Sequence, residues 1–165
     1  MRVTMQINGA PHTADVEPRT LLSDFIRHQA GLTGTHVGCE HGVCGACTVQ
    51  LDGEPIRACL MFAVQADGRR LRTVEGLAGA DGELGDLQRA FTEHHAMQCG
   101  FCTAGFLMTA DALLRRRPDA GEREIRAELA GNLCRCTGYE GIVEAVLATA
   151  RGRRPVPVVG ADADW

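Results

Sequence analysis

The sequence predicts an α+β fold in which a β-rich domain precedes an all-helical domain. In the first half, apolar residues alternate with polar ones around Asn-Gly and Asp-Gly turns, which is the pattern of strands joined in hairpins. In the second half, apolar residues recur three and four positions apart, which is the pattern of amphipathic helices. A Gly- and Ala-rich segment, 77–85, separates the halves and is predicted to link two domains.

The length and composition of the chain suit two small globular domains. It has 165 residues, of which 45% are hydrophobic and 23% charged, as is typical of folded proteins. No apolar run approaches the roughly 18 residues that cross a bilayer, and residues 1–7 lack the layout of a signal peptide. We therefore expect a cytoplasmic protein. The net charge of −4 argues against nucleic acid as the main partner.

The first domain is predicted to be built from two hairpins, one helix and a short closing strand. The predicted strands are 3–7, 10–16, 48–51, 56–58 and 71–74. Pro11 removes a backbone donor, so the second strand is expected at an edge of the sheet. Between the hairpins, apolar spacing over 20–30 predicts a helix with Thr20 as its N-cap and Gly31 as its stop.

The second domain is predicted to be helical throughout, because four apolar stripes follow the linker. The stripes are Leu84, Leu87 and Phe91; Phe106, Leu107, Ala110, Leu113 and Leu114; Ile125 and Leu129; and Ile142, Val143, Val146, Leu147 and Ala150. The predicted boundaries are 1–76 for the first domain, 77–85 for the linker, 86–152 for the helical domain and 153–165 for an extended tail. Domains this small have a modest hydrophobic core and usually need disulfides or a bound metal for stability.

Eight cysteines are the candidate metal ligands or disulfide partners, and each domain contains four of them. The first set is Cys39, Cys44, Cys47 and Cys59, a C-x4-C-x2-C run with a fourth cysteine eleven residues later. This is the spacing of plant-type 2Fe–2S ferredoxins. Glycines at 38, 42 and 45 let the loop take positive φ and turn its N–H groups toward the sulfur atoms. Zinc sites favour paired C-x2-C knuckles, which this run does not supply.

The second set is Cys99, Cys102, Cys134 and Cys136, a C-x2-C pair and a C-x-C pair separated by thirty-one residues. Spacing alone leaves zinc open as an alternative here. The first pair lies at the junction of two predicted helical segments and the second just before the last predicted helix. At helix N-termini, exposed N–H groups and the positive end of the helix dipole favour thiolates. Four disulfides are a poor alternative for a cytoplasmic chain, because thiols stay reduced in that compartment.

Three strings of the sequence carry a family resemblance. They are GCEHGVCGACTV from Gly38, QCGFCTAGF from Gln98 and GNLCRCTGY from Gly131. Together they resemble the signatures of the iron–sulfur subunit of molybdenum hydroxylases, the xanthine oxidase family, over about residues 2–151. The strings VEPRTLL and CLMFAVQADG look most like the small subunit of aerobic carbon monoxide dehydrogenases within that family.

The resemblance implies a β-grasp 2Fe–2S ferredoxin-like domain followed by a four-helix 2Fe–2S domain with pseudo-twofold symmetry. It also implies two partners, a large subunit holding molybdopterin cytosine dinucleotide and a medium subunit holding FAD, in a heterotrimer or a dimer of heterotrimers. The helical-domain cluster is expected near the pterin and the β-domain cluster near the flavin. By motif position, Gln98 and Cys136 are expected to approach the pterin; without the motif, Gln98 reads equally well as a helix-capping amide.

The remaining polar residues give no catalytic set, so no residue of this chain is predicted to be catalytic. His36, His41, His94 and His95 are interpreted as facing solvent or a partner. Asp111 is interpreted as part of a solvated helical face with Glu122, Glu124 and Glu128. The resemblance therefore implies an electron-transfer subunit that relays single electrons from the molybdopterin site through two 2Fe–2S clusters to FAD. Two alternatives remain: a free-standing two-cluster ferredoxin and a structural module stabilised by zinc.

Overall fold

The computed structural model describes residues 1–79 and 81–152. Its sheet contains β1 (Arg2–Ile7), β2 (Ala10–Asp15), β3 (Thr48–Leu51), β4 (Glu54–Arg57) and β5 (Arg70–Arg72). The order across the sheet is β2-β1-β5-β3-β4, with β1 and β5 parallel and the other neighbours antiparallel. The predicted edge position of Pro11 is confirmed, because β2 lies at one edge. The predicted tail, 153–165, lies outside the described residues.

The last strand is shorter than the predicted 71–74, since Thr73 leaves the sheet. The backbone N–H of Thr73 donates to the Asn8 side chain at 2.9 Å instead of to a strand. A 3₁₀ turn, Val74–Leu77, follows at once. The turn residue Asn8 therefore ends β5 as well as shaping the first hairpin.

The helix predicted over 20–30 is correct in place and wrong in form. One α-helical turn, α1 (Leu22–Asp24), runs into a wider π-helical turn at Phe25–Gln29. Thr20 does not cap it: Leu21 occupies the N-cap position, and the carbonyl of Thr20 accepts from the N–H of Ala63 at 2.8 Å. The apolar face of the helix is as predicted, with Phe25 and Ile26 buried against one face of the sheet.

The second half contains α2 (Asp86–Glu93), α3 (Thr103–Arg116), α4 (Glu122–Leu129) and α5 (Glu140–Gly152). Their predicted apolar stripes meet in a separate core around Phe91, Phe106 and Ile142. Leu84 is an exception, since it precedes α2 and is 46% exposed. Together the sheet and these helices confirm the α+β class. No helix in the described part of the chain has both the length and the apolar character that a bilayer span requires.

The other face of the sheet packs against α3 through a buried polar contact. The Gln50 amide on β3 donates to the Met108 carbonyl at 2.9 Å and to Asp111 at 3.0 Å. Arg72 and Arg115 each lie 2.8 Å from the same Asp111 carboxylate. The solvated face predicted for Asp111 is therefore wrong: the residue is 5% exposed, because α3 lies on the sheet and turns this position inward.

Candidate metal centres

The first four cysteines are brought together by the glycine-rich loop and the second hairpin. Cys39 and Cys44 lie in the loop, Cys47 directly precedes β3, and Cys59 lies in a 3₁₀ turn just after β4. The antiparallel pairing of β3 with β4 sets Thr48 opposite Arg57, so the residues flanking these strands share one end of the hairpin. The fourth cysteine thus arrives from the end of the returning strand.

Two of the three loop glycines have the predicted left-handed backbone, with φ of +81° at Gly42 and +74° at Gly45. Gly38 does not have a left-handed backbone. Glycine is favoured there because a side chain would be crowded: a Cβ would lie 3.2 Å from the Phe101 ring and 3.3 Å from the Cys44 sulfur. Glu40 supplies the further left-handed residue, with φ of +57°. The loop consequently turns its amides inward, and the N–H of Cys44 lies 3.4 Å from the Cys39 sulfur.

The sulfur atoms of this first set form two pairs. Cys39 is in side-chain contact with Cys44, and Cys47 with Cys59. Hydrogen bonds from the backbone N–H groups of Cys44 and His41 lower the pKa of Cys39 to about 6. Burial raises the pKa of Cys47 to about 11. A thiol buried like Cys47 ionises when a metal ion binds it and compensates its charge.

The second set shows the same pairing. The sulfur atoms of Cys99 and Cys136 lie 3.6 Å apart, and Cys102 contacts Cys134. Burial raises the pKa of Cys102 to about 12, although this residue occupies the N-cap position of α3. Burial also opposes ionisation of Cys134, but the Thr137 hydroxyl and N–H, 3.1 and 3.4 Å from its sulfur, lower its pKa.

Two pairs per set suit a dinuclear centre better than a mononuclear one. A structural zinc ion gathers four ligands around one point, whereas each iron of a 2Fe–2S cluster takes two cysteines. All eight cysteines lie within the described residues, 1–79 and 81–152, and are free thiols. The residues therefore fit two 2Fe–2S clusters.

Gln98 and Cys136 lie together, on the exposed side of the second set. The Gln98 amide donates to the Cys136 carbonyl at 3.1 Å, and neither residue is buried. The alternative interpretation of Gln98 as a helix-capping amide does not describe this hydrogen bond, which joins two loops. The amide oxygen of Gln98 and the sulfur of Cys136 thus belong to one surface.

The two cysteine loops touch each other directly. The N–H of Leu133, next to Cys134, donates to the carbonyl of Cys44 at 2.9 Å. His36 adds a second contact, because its ring stacks on Phe101 with centroids 4.9 Å apart and its Nδ1 lies 2.8 Å from the Phe101 carbonyl. His36 is thus partly exposed and also bridges the two domains.

The other histidines are distributed as follows. His41 bonds through Nδ1 to the carbonyl of Cys39. His94 lies 3.8 Å from Glu144 on α5, and His95 is exposed. None of these contacts reaches a cysteine sulfur through an imidazole nitrogen, among the contacts that the described residues make.

Several polar residues around the cysteines were not singled out by sequence reasoning. Tyr139 accepts through its hydroxyl from the N–H of Cys134 at 3.0 Å. Arg57 donates to the Gly131 carbonyl at 2.7 Å, and Asn132 is 1% exposed. The sequence contains one indication that Asn132 and Tyr139 belong to the site, because both lie inside the GNLCRCTGY string.

Comparisons with known proteins agree with this geometry. Residues 5–78 match the family of 2Fe-2S iron-sulfur cluster binding domains, and residues 73–147 match the family of [2Fe-2S] binding domains. The chain is 56% identical over 147 residues to the caffeine dehydrogenase subunit gamma of Pseudomonas sp. (strain CBB1), covering 87% of each chain. It is 54% identical over 147 residues to the nicotine 6-hydroxylase small subunit of Paenarthrobacter nicotinovorans, covering 89% of this chain and 88% of the relative.

The chain belongs to the iron–sulfur small subunits of the molybdenum hydroxylases. A solved structure, quinoline 2-oxidoreductase from Pseudomonas putida 86, superposes with a TM-score of 0.88 and 52% identity, covering 91% of this chain and 92% of that one. Like other members of the family, this small subunit is an electron-transfer component of an oxidoreductase complex with two 2Fe–2S binding domains. These three relatives are named after N-heterocyclic compounds: caffeine, nicotine and quinoline. The further likeness to carbon monoxide dehydrogenases therefore stays an expectation.

Proposed function

We propose that this small subunit passes single electrons from a molybdopterin site in a large partner to FAD in a medium partner. A bound 2Fe–2S cluster supplies one-electron redox chemistry. The proposed ligands are Cys39, Cys44, Cys47 and Cys59 in the first domain, and Cys99, Cys102, Cys134 and Cys136 in the second. The proposed setting is the cytoplasm, where these thiols stay reduced until metal binds.

The observation that carries the proposal is the hydrogen bond between the two cysteine loops. It joins the N–H of Leu133, bonded in the chain to Cys134, to the carbonyl of Cys44, itself a proposed ligand. A continuous route of covalent bonds and one hydrogen bond therefore leads from one ligand set to the other. A structural staple needs no such junction, since each domain has its own core.

The direction of the relay follows from exposure and from the position of Gln98. In the second set Cys99 and Cys136 are exposed and share a surface with Gln98, so a cofactor of a large partner reaches this set first. In the first set Cys47 and Cys59 are buried. The exposed Val43 and Leu60, beside Cys44 and Cys59, offer the opposite contact to the flavin-bearing partner.

The protein's own contribution is to hold the sulfur atoms and to place donors on them. The N–H of Cys44 on the Cys39 sulfur, and Thr137 on the Cys134 sulfur, stabilise added negative charge at the ligands. Such donors raise the reduction potential of an iron–sulfur centre. The protein thereby tunes the potentials to suit its neighbours, while the redox chemistry belongs to the cofactors.

We also infer the finer architecture that the family resemblance implies. The parallel β1–β5 pair flanked by two hairpins, with α1 across one face, supports a β-grasp domain. The helices α2 to α5 around one core support a four-helix domain. The pairs Cys99–Cys102 and Cys134–Cys136 before α3 and α5 support its pseudo-twofold symmetry.

The relay order is tested with two serine variants of the purified complex. Cys136→Ser removes a ligand on the molybdenum side and should stop substrate from reducing the flavin. Cys59→Ser removes a ligand on the flavin side and should leave the second cluster reducible by substrate, as followed by EPR. If Cys59→Ser abolished substrate reduction of both clusters, the proposed order would be wrong.

The alternative of a free-standing ferredoxin is less well supported. A shuttle needs no second domain, and diffusing carriers are steered by dense charge, which a net charge of −4 does not provide. The names of three relatives instead support a complex acting on N-heterocycles. Assays of the co-purified complex with quinoline, nicotine, caffeine and carbon monoxide separate these substrate classes.

A further inference from the structure

A short seam of hydrogen bonds joins the segment 131–134 to the loop 44–48. At one end the N–H of Leu133 donates to the Cys44 carbonyl at 2.9 Å. At the other end Arg57 donates both to the Gly131 carbonyl at 2.7 Å and to the Thr48 hydroxyl at 2.6 Å. Between them, the Asn132 amide donates to the Gly45 carbonyl at 3.0 Å. The seam therefore spans both domains and includes the junction of the proposed relay.

Asn132 is the buried centre of this seam. Its side-chain oxygen accepts from the Thr109 hydroxyl of α3 at 3.0 Å, and its nitrogen donates to Gly45 and reaches the Thr48 hydroxyl at 3.5 Å. Asn132 thereby connects α3, the segment before Cys134 and the loop between Cys44 and Cys47. One neutral amide supplies the donor and the acceptor that these three elements require.

Space around Gly45 shows how closely the domains approach at this point. A Cβ on Gly45 would lie 2.6 Å from the Gly131 carbonyl oxygen and 2.7 Å from the Asn132 nitrogen. A Cβ on Gly105 of α3 would lie 2.1 Å from the Gly45 carbonyl oxygen. Backbone thus meets backbone on both sides of the loop, and Asn132 fixes the register in which they meet.

We propose that Asn132 is a positioning residue of the electron relay, holding Leu133 against Cys44 and so setting the coupling between the two cysteine sets. This inference rests on the proposed function. Asn132 touches no cysteine sulfur among its hydrogen-bond partners. It acts through the loop that it anchors: without the amide, the Gly45 peptide loses its tie to the helical domain, and the adjacent Leu133–Cys44 hydrogen bond lengthens or breaks.

Asn132→Leu is the informative variant, because it removes the seam's centre without leaving a partner unsatisfied. The Gly45 carbonyl keeps the N–H and hydroxyl of Thr48 as donors, at 3.2 and 2.6 Å. The Thr109 hydroxyl keeps the Gly105 carbonyl at 3.0 Å. Leucine has the same number and branching of side-chain heavy atoms as asparagine but bulkier methyl groups, so the iron content checks that folding and cluster loading survive.

Gln50→Leu is the matched control. Gln50 is also fully buried and also bonds from the first domain to α3, through the Met108 carbonyl and Asp111. It takes no part in the seam at Gly45. A residue that merely docks the domains behaves like Gln50, whereas a positioning residue of the relay does not.

The experiment uses the complex purified with each variant and compares three measurements. Iron content reports loading, hydrogen exchange of the peptide containing Leu133 reports the junction, and EPR splitting with rapid-freeze kinetics reports the coupling between clusters. For Asn132→Leu we expect full loading, lost protection at Leu133 and electron exchange slower by about tenfold, within the roughly 100-fold that a 1 Å misplacement costs a positioned reaction. For Gln50→Leu we expect wild-type exchange and splitting.

Three results overturn the inference: Asn132→Leu with wild-type coupling, equal losses in both variants, or lost coupling with Leu133 still protected. Asn132→Asp keeps the acceptor for Thr109 but sets a carboxylate against the Gly45 carbonyl, so it should lose at least as much coupling as Asn132→Leu. Failure of the proposed function looks different, since the wild-type complex itself would then show no electron passage between the clusters.

Discussion

Single residues at the domain interface combine burial with charge, and Asp111 is the best example. Its carboxylate is buried, yet it forms ion pairs with Arg72 and Arg115 and accepts a hydrogen bond from the Gln50 amide. Burial alone would raise the pKa of Asp111, but the two guanidinium groups hold it below the ordinary carboxyl value. The charge is therefore retained in the folded state and contributes to the contact between sheet and α3.

Asp111→Asn should lower the free energy of unfolding by about 2 kcal/mol, since two charge-assisted hydrogen bonds are weakened. For a chain of this length that corresponds to about 4–8 °C in Tm. A depressed folded pKa gives stability that is present above the unfolded pKa of about 3.9 and is lost only below it. The Tm difference, measured by differential scanning calorimetry, should consequently be equal at pH 6 and pH 9. A difference that changed across this range would contradict the assignment.

Gly45→Ala and Gly68→Ala separate backbone strain from crowding. Both residues have φ near +70°, at +74° and +72°, so alanine is strained at each by about 1–2 kcal/mol. Only Gly45 is also crowded, because nothing lies within 4 Å of a Cβ on Gly68. We expect Gly68→Ala to keep both clusters with a modestly lower Tm, and Gly45→Ala to lose iron from the first site. Equal iron content in the two proteins would show that the crowding is relieved.

At the scale of elements, the approach of α3 to the loop before β3 decides how the domains meet. Gly105 allows the helix backbone to lie against Gly45 and Ala46, where a Cβ would overlap the Gly45 carbonyl. The π-helical turn at Phe25–Gln29 is a second place where side-chain packing overrides regular α-helical geometry. There the buried Phe25 and Ile26 keep their place on the sheet while the helix widens.

Gly105→Ala should push α3 away from the loop and cost about 1–3 kcal/mol, as overpacking usually does. The matched control is Gly152→Ala at the end of α5, where a Cβ meets nothing within 4 Å. There alanine should be neutral or stabilising by up to about 1 kcal/mol, because it is the better helix former. Thermal unfolding followed by circular dichroism checks both, and equal Tm values would refute the close approach.

At the scale of the whole molecule, exposed apolar residues surround the second cysteine set. Met97, Phe101 and Leu133 are 39%, 47% and 51% exposed, beside Cys99, Cys102 and Cys134. Large exposed apolar groups around a redox site are typical of a surface that a partner covers. If the proposed large partner covers this surface in an obligate interface, the total area buried should exceed about 2,000 Å².

Met97→Glu should therefore weaken association with the large subunit, because a charge would be buried without a partner. The control is Leu84→Glu, since Leu84 is similarly exposed at 46% but precedes α2, away from the cysteines in the sequence. The amount of large subunit that co-purifies with each tagged variant measures the effect. Loss with both variants, or with neither, would place the interface elsewhere.

The chain itself determined the class of fold and the grouping of the cysteines. Strand alternation, helical periodicity and the C-x4-C-x2-C spacing are local patterns, recorded by residues a few positions apart. The tertiary structure decided which sulfur atoms pair, that Asp111 is buried, and that Asn132 meets Gly45 across 87 positions of sequence. These contacts depend on how α3 lies on the sheet. Packing between elements that are distant in the sequence produces no periodic pattern of residues, so the sequence alone does not reveal such contacts.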